Sequence, residues 1–95
     1  MLINFSPIRS DRALEITKIG ETLKINGVPY DFSPLADGAT LPREAIDCEW
    51  ICGNVERING ELVIPILLPH GPDASEAARF PEPINVTDGE VVLPE

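Results

Sequence analysis

A chain of 95 residues supplies the core of one domain and no more. It carries 16 acidic residues against 7 basic ones, a net charge of −9, which repels phosphate backbones and anionic lipid, so neither nucleic acid nor membrane is an expected partner. Ten prolines exclude long helices, two cysteines are too few for a disulfide scaffold, and no apolar run reaches the roughly 18 residues of a membrane-spanning helix.

The charge is uneven. Residues 1–24 hold four bases and three acids, a net of +1, so the remainder carries −10. The opening stretch MLINFSPIRSDR has neither a basic leader region nor a continuous apolar stretch, so a signal peptide is not expected and the chain is expected in the cytoplasm.

In chain order, Leu2, Ile3 and Phe5 suggest a short first strand that Ser6-Pro7 ends or places at an edge. Residues 13–32 alternate clearly. Leu14 and Ile16, Leu23 and Ile25, then Val28, Tyr30 and Phe32 are separated by polar residues or proline, the period-2 pattern of strands with one buried face. Turn signals at Gly20-Glu21 and Asn26-Gly27 predict a three-stranded antiparallel meander. Its register sets Ile16 opposite Ile25, Lys18 opposite Leu23, Ile25 opposite Val28 and Leu23 opposite Tyr30. Lys18 is the one discordant residue on the apolar face.

Residues 33–45 read as a connection, with a short helical turn near Pro42–Ala45. Ile46–Leu68 then reads as a hairpin through Asn59-Gly60, with Val55 opposite Ile64, Ile51 opposite Leu68 and Cys52 opposite Leu67. Both of its faces are apolar. Pro65 cannot donate to a ladder, so an edge or bulge is expected beside it. The fold class is therefore mainly β, a small antiparallel sandwich or partly open barrel made from the 13–32 meander and the 46–68 hairpin. Residues 1–68 form the β-rich core, and 69–95 a Pro-rich, acidic extension of the same domain. Within the extension, Asp73–Glu76 suggests one capped helical turn and Val86–Val91 a small hairpin through Asp88-Gly89.

Residues with chemical potential are few. On a strand, Cys48 and Cys52 stand about 13 Å apart, too far for a disulfide or one zinc ion, and they read as buried apolar residues beside Trp50. His70, the sole histidine, is expected as a structural residue in a turn. Asp47 and Glu49 share a strand face and read as solvated. The Asp-Gly pairs at 37–38 and 88–89 read as turns rather than calcium loops, and Asn85-Val-Thr87 matches a glycosylation acceptor with no secretory context. There is no phosphate-binding loop, dinucleotide fingerprint or nucleophile elbow, and no cofactor or metal is implied.

One resemblance gives direction. Leu68-Pro-His-Gly-Pro-Asp-Ala74, Arg79-Phe-Pro81, Pro83-Ile84 and Val86-Thr-Asp-Gly89 resemble small proteins encoded among the tail genes of bacteriophages and prophages. The resemblance covers about residues 61–94 and implies a tail accessory or assembly protein in a bacterial host, located in the cytoplasm or the virion. It brings no active-site residues. The expectation is a non-enzymatic protein that contacts a protein partner, such as a tail component, or further copies of itself. Phe80, Ile84, Val86 and Val91 are the candidate contact residues, by partner strand addition at a sheet edge or by donation of the 84–93 segment. The alternative is a small β-fold enzyme or ligand-binding protein using Cys52 or His70.

Overall fold

Two asparagine–glycine turns set the registers from which the fold grows. In the computed structural model, which describes residues 1–72, 81–91 and 93, Asn26 and Gly27 take φ of 49° and 85°, and Asn59 and Gly60 take 50° and 80°. Positive φ at both central residues is the requirement of a type I′ turn, whose twist matches that of the strands it joins.

The chain runs β1 (Leu2–Arg9), β2 (Ile16–Ile19), β3 (Thr22–Ile25), β4 (Val28–Asp31), β5 (Thr40–Leu41), a 3₁₀ turn (Arg43–Ala45), β6 (Val55–Ile58), β7 (Glu61–His70), β8 (Ile84–Asn85) and β9 (Gly89–Glu90). One sheet has the order β5-β6-β7-β1-β8 and the other β4-β3-β2-β9. Both remain open rather than closing into a barrel. Their inward residues share one core: Ile3, Phe5, Val55, Leu62, Ile64, Ile66 and Leu68 from the first sheet, Ile16, Leu23 and Ile25 from the second, with Leu14, Phe32, Trp50, Ile51 and Val91 from the connections. The fold is mainly β, with the sheets arranged as a small sandwich.

The meander has the expected register, Ile16↔Ile25, Lys18↔Leu23, Ile25↔Val28 and Leu23↔Tyr30. Two expectations about the 1–68 core need correction. The sandwich is not wholly antiparallel, because β1 lies parallel to β7 over its full length, from Leu2↔Val63 to Arg9↔His70. The first strand therefore continues through Ser6-Pro7 to Arg9, and of the two expected outcomes Pro7 marks an edge, since β8 pairs only Leu2 and Ile3.

The second correction concerns the hairpin. Its ladder at the turn is as expected, Ile58↔Glu61 to Glu56↔Val63. Further out, Ile51 faces Ile66, not Leu68, so five steps from Ile51 to Glu56 oppose three from Val63 to Ile66. The two additional residues form an excursion at 52–54, and 46–50 is turn and loop instead of strand. Proline chemistry accounts for this. Leu67 N–H donates to Trp50 O and Cys52 N–H to Pro65 O, so odd-numbered β7 residues point their backbone groups toward 50–54. Pro65 has no N–H to offer there. Gly53 passes over the ring instead, where a Cβ would sit 3.1 Å from Pro65 Cγ.

Pro7 and Pro29 obey the same logic. Val86 N–H donates to Met1 O, which by alternation turns the backbone groups of odd-numbered β1 residues away from β7, Pro7 among them. Ile25 and Val28 close a two-residue turn as a hydrogen-bonded pair, so Pro29 faces outward from β4. Neither proline removes a ladder bond.

The C-terminal segment returns to its own domain. β8 adds to β1 and β9 adds to β2, so Val86–Val91 is not a hairpin. Its two short strands enter different sheets and Val91 N–H donates to Ile16 O. Lys18, the discordant residue of the meander, explains the arrangement: its Nζ lies 2.8 Å from Asp88 Oδ1, which also accepts the Gly20 N–H at 3.1 Å. The helical turn expected at Asp73–Glu76 lies outside the described residues. Among the described residues no helix is long and apolar enough to cross a membrane.

Candidate binding cleft

The loop 46–50, displaced from the sheet by the Pro65 excursion, faces the edge of the meander across a cleft of about 470 Å³. Arg12, Ile25, Asn26, Val28, Tyr30, Asp47, Cys48, Glu49 and Trp50 line it.

Each wall has a local cause. Asn26 holds the N-terminal side: its Oδ1 accepts the Glu15 N–H at 2.7 Å and its Nδ2 donates to Ala13 O at 3.1 Å. This fixes the 10–15 connection beside the first meander turn and places Arg12 at the mouth. The Arg12 guanidinium lies over the Trp50 ring, 4.6 Å from its centroid, and pairs with the Glu49 carboxylate. Both members of that ion pair are mostly exposed, so it contributes little to folding. The pairing holds the Glu49 carboxyl below its ordinary range and raises Arg12, in each case chiefly through their shared hydrogen bond.

On the opposite wall, Tyr30 donates its hydroxyl to Asp47 O at 3.1 Å. Hydrogen bonding with Cys48, then burial, then the negative charges around it push the phenol up to about 12. Val28, 50% exposed, forms an apolar rim on the edge strand β4, whereas Trp50 is only 6% exposed beneath Arg12.

The residues singled out from sequence are dispersed. Cys48 and Cys52 are free thiols and half-buried, with Cys48 packed against the core beside the cleft. They are less buried than expected because 46–54 is loop and excursion, not strand. His70 is not in a turn but ends β7, half-buried, with Nδ1 3.0 Å from Gly71 O. Cys52 bonds Pro65 and His70 is five residues further along the same strand, about 16 Å at the strand rise, so the structure does not bring thiol and imidazole together. Asp47 and Glu49 are exposed. Ile84 and Val86 are half-buried and Val91 is buried, all three against the chain's own core; Phe80 lies outside the described residues. Among the described residues, no three His, Cys, Asp or Glu side chains gather as metal ligands.

No family model, curated protein or solved structure matches the chain. The chemistry of the cleft is what bears on function. Arginine, tryptophan and tyrosine are the side chains that most often anchor protein interfaces, and here they converge beside an exposed valine. Tyr30 and Trp50 were visible in the sequence as apolar positions. Arg12 was not, because its partner lies 37 residues away. A tryptophan directly preceded by an acid, with another acid three residues before it, was the available signal.

Proposed function

We propose that this protein is a non-enzymatic accessory or assembly protein of a bacteriophage or prophage tail, working by protein–protein contact in the bacterial cytoplasm or in the virion. The observation that supports contact is the cleft: Trp50, Tyr30 and Arg12 form an aromatic and cationic cluster beside Val28, a large apolar side chain left half-exposed on an edge strand. The tail assignment rests on the Leu68–Ala74, Arg79–Pro81 and Pro83–Gly89 resemblance. Contact through side chains suits these edges better than strand addition, since Pro7 and Pro29 withhold outward donors from β1 and β4.

The test is Val28→Glu, which places a charge on the rim without entering the core. Purified tails or tail assembly intermediates from cells carrying the wild type or V28E are assayed for the protein and for completed tails. Loss of incorporation, or of tail completion, with an unchanged circular dichroism spectrum is the expected result. Normal incorporation and assembly with V28E overturns the reading.

A further inference from the structure

We infer that the Trp50 face flanked by Glu49 is a recognition site for an arginine side chain of a protein partner, and that Arg12 occupies it in the free chain. This deepens the contact reading of the cleft and rests on it.

The arrangement has the three parts that guanidinium recognition needs. Trp50 offers the best aromatic face for a cation, and Arg12 already lies against it, 4.6 Å from the ring centroid. Glu49 supplies a carboxylate at the ring's margin, and it is engaged by the same guanidinium. Asp47 also lines the cleft, so its carboxylate is a further acceptor beyond the one that Arg12 uses. Arg12 itself is weakly held. It sits in the irregular 10–15 connection, and both its side chain and that of Glu49 are more than half exposed. An exposed pair of this kind is easily exchanged for an equivalent pair from another chain. The rest of the protein favours such a visitor, because residues 25–95 carry the whole of the negative excess. A guanidinium fits better than an ammonium, since it stacks flat on indole while keeping its edge donors free for a carboxylate.

Trp50 is the only tryptophan of the chain, so its emission reports on the site directly. The full-length protein is titrated with N-acetyl-arginine amide, and with the citrulline analogue as a neutral probe of the same shape. Arg12→Ala vacates the ring; a saturable emission change with the arginine probe is expected, about tenfold tighter than in the wild type. Adding Glu49→Gln to R12A is expected to remove most of that gain, and citrulline to be silent. An R12A protein that binds the arginine probe no better than the wild type, or that responds equally to citrulline, overturns the inference. The two readings fail separately. Loss of tail incorporation in V28E together with an R12A protein indifferent to arginine leaves contact standing and removes the cation. Arginine uptake by R12A with normal V28E incorporation leaves the site's chemistry standing and removes the tail role.

Discussion

Arg57 on β6 reaches out of its own sheet to Glu21 in the β2–β3 turn, Nη1 to Oε1 at 2.9 Å. It is 9% exposed and lies on the inward side of its strand. The same guanidinium donates to Leu35 O at 2.6 Å, to Phe32 O at 3.3 Å and to Gly60 O at 3.3 Å. One side chain thereby joins the end of each sheet and satisfies three carbonyls that no strand partner reaches. Arg57→Met keeps the apolar stem but takes the guanidinium donors from the Leu35 and Gly60 carbonyls, while Phe32 O keeps the Leu35 N–H; it is expected to lower stability by about 2–5 kcal/mol in urea unfolding. Glu21→Gln, on the exposed end of the pair, is expected to cost about 1 kcal/mol or less.

Lys18 and Asp88 give the fold an acid-sensitive clasp. The Lys18 ammonium, then the Gly20 N–H, hold the Asp88 carboxyl below its ordinary value of 3.8. A depressed carboxyl pKa stabilises the folded state above the unfolded value, and the contribution disappears as pH falls through the folded value. The stability advantage of the wild type over Asp88→Asn is therefore expected to be full at neutral pH and to shrink below pH 3.8. Urea midpoints of the two proteins across the acid range check this, and a difference independent of pH contradicts it.

Gly53 and Pro65 are coupled by contact. A Cβ on residue 53 would meet Pro65 Cγ at 3.1 Å, so Gly53→Ala is expected to cost about 1–2 kcal/mol. Pro65→Ala removes the obstructing ring. In the double mutant the two changes should be non-additive, with the penalty at 53 largely relieved, as a double-mutant cycle measures.

The sequence made the meander legible down to its register because every determinant was local: alternation, two turn signals and strands of four residues. The β1–β7 pairing was not legible. Leu2 and Val63 are partners across nearly two thirds of the chain, and parallel pairing between remote strands leaves no turn to find. The same limit hid the cleft. Tyr30 could be placed by parity, but Arg12, Glu49 and Trp50 meet only because Pro65 disrupts the register and pushes 46–50 out of the strand. Arg57 was readable in principle, since parity with Val55 places it inward, as with Lys18. Both inward cations proved to be links between segments.

Asn26 combines a backbone role with a tethering role, and two substitutions separate them. Asn26→Gly keeps access to φ of 49° but loses the bonds to Glu15 and Ala13, with an expected cost of about 1–2 kcal/mol. Asn26→Ala adds about 1 kcal/mol or more of left-handed strain. Both release the 10–15 connection, so Trp50 emission should become more solvent-exposed in each, since Arg12 loses its support over the ring.

The outward prolines bear on how the protein behaves when many copies are crowded together. A sheet grows by backbone templating only where a run of unpaired donors and acceptors is available at its rim. On β1 that run is interrupted at Pro7 and on β4 at Pro29, while β5, β8 and β9 are two residues long. A copy stacking against either longer rim would leave a carbonyl without a donor. The chain thus combines a highly apolar strand, β7, with longer rims at which backbone templating by a further copy is interrupted.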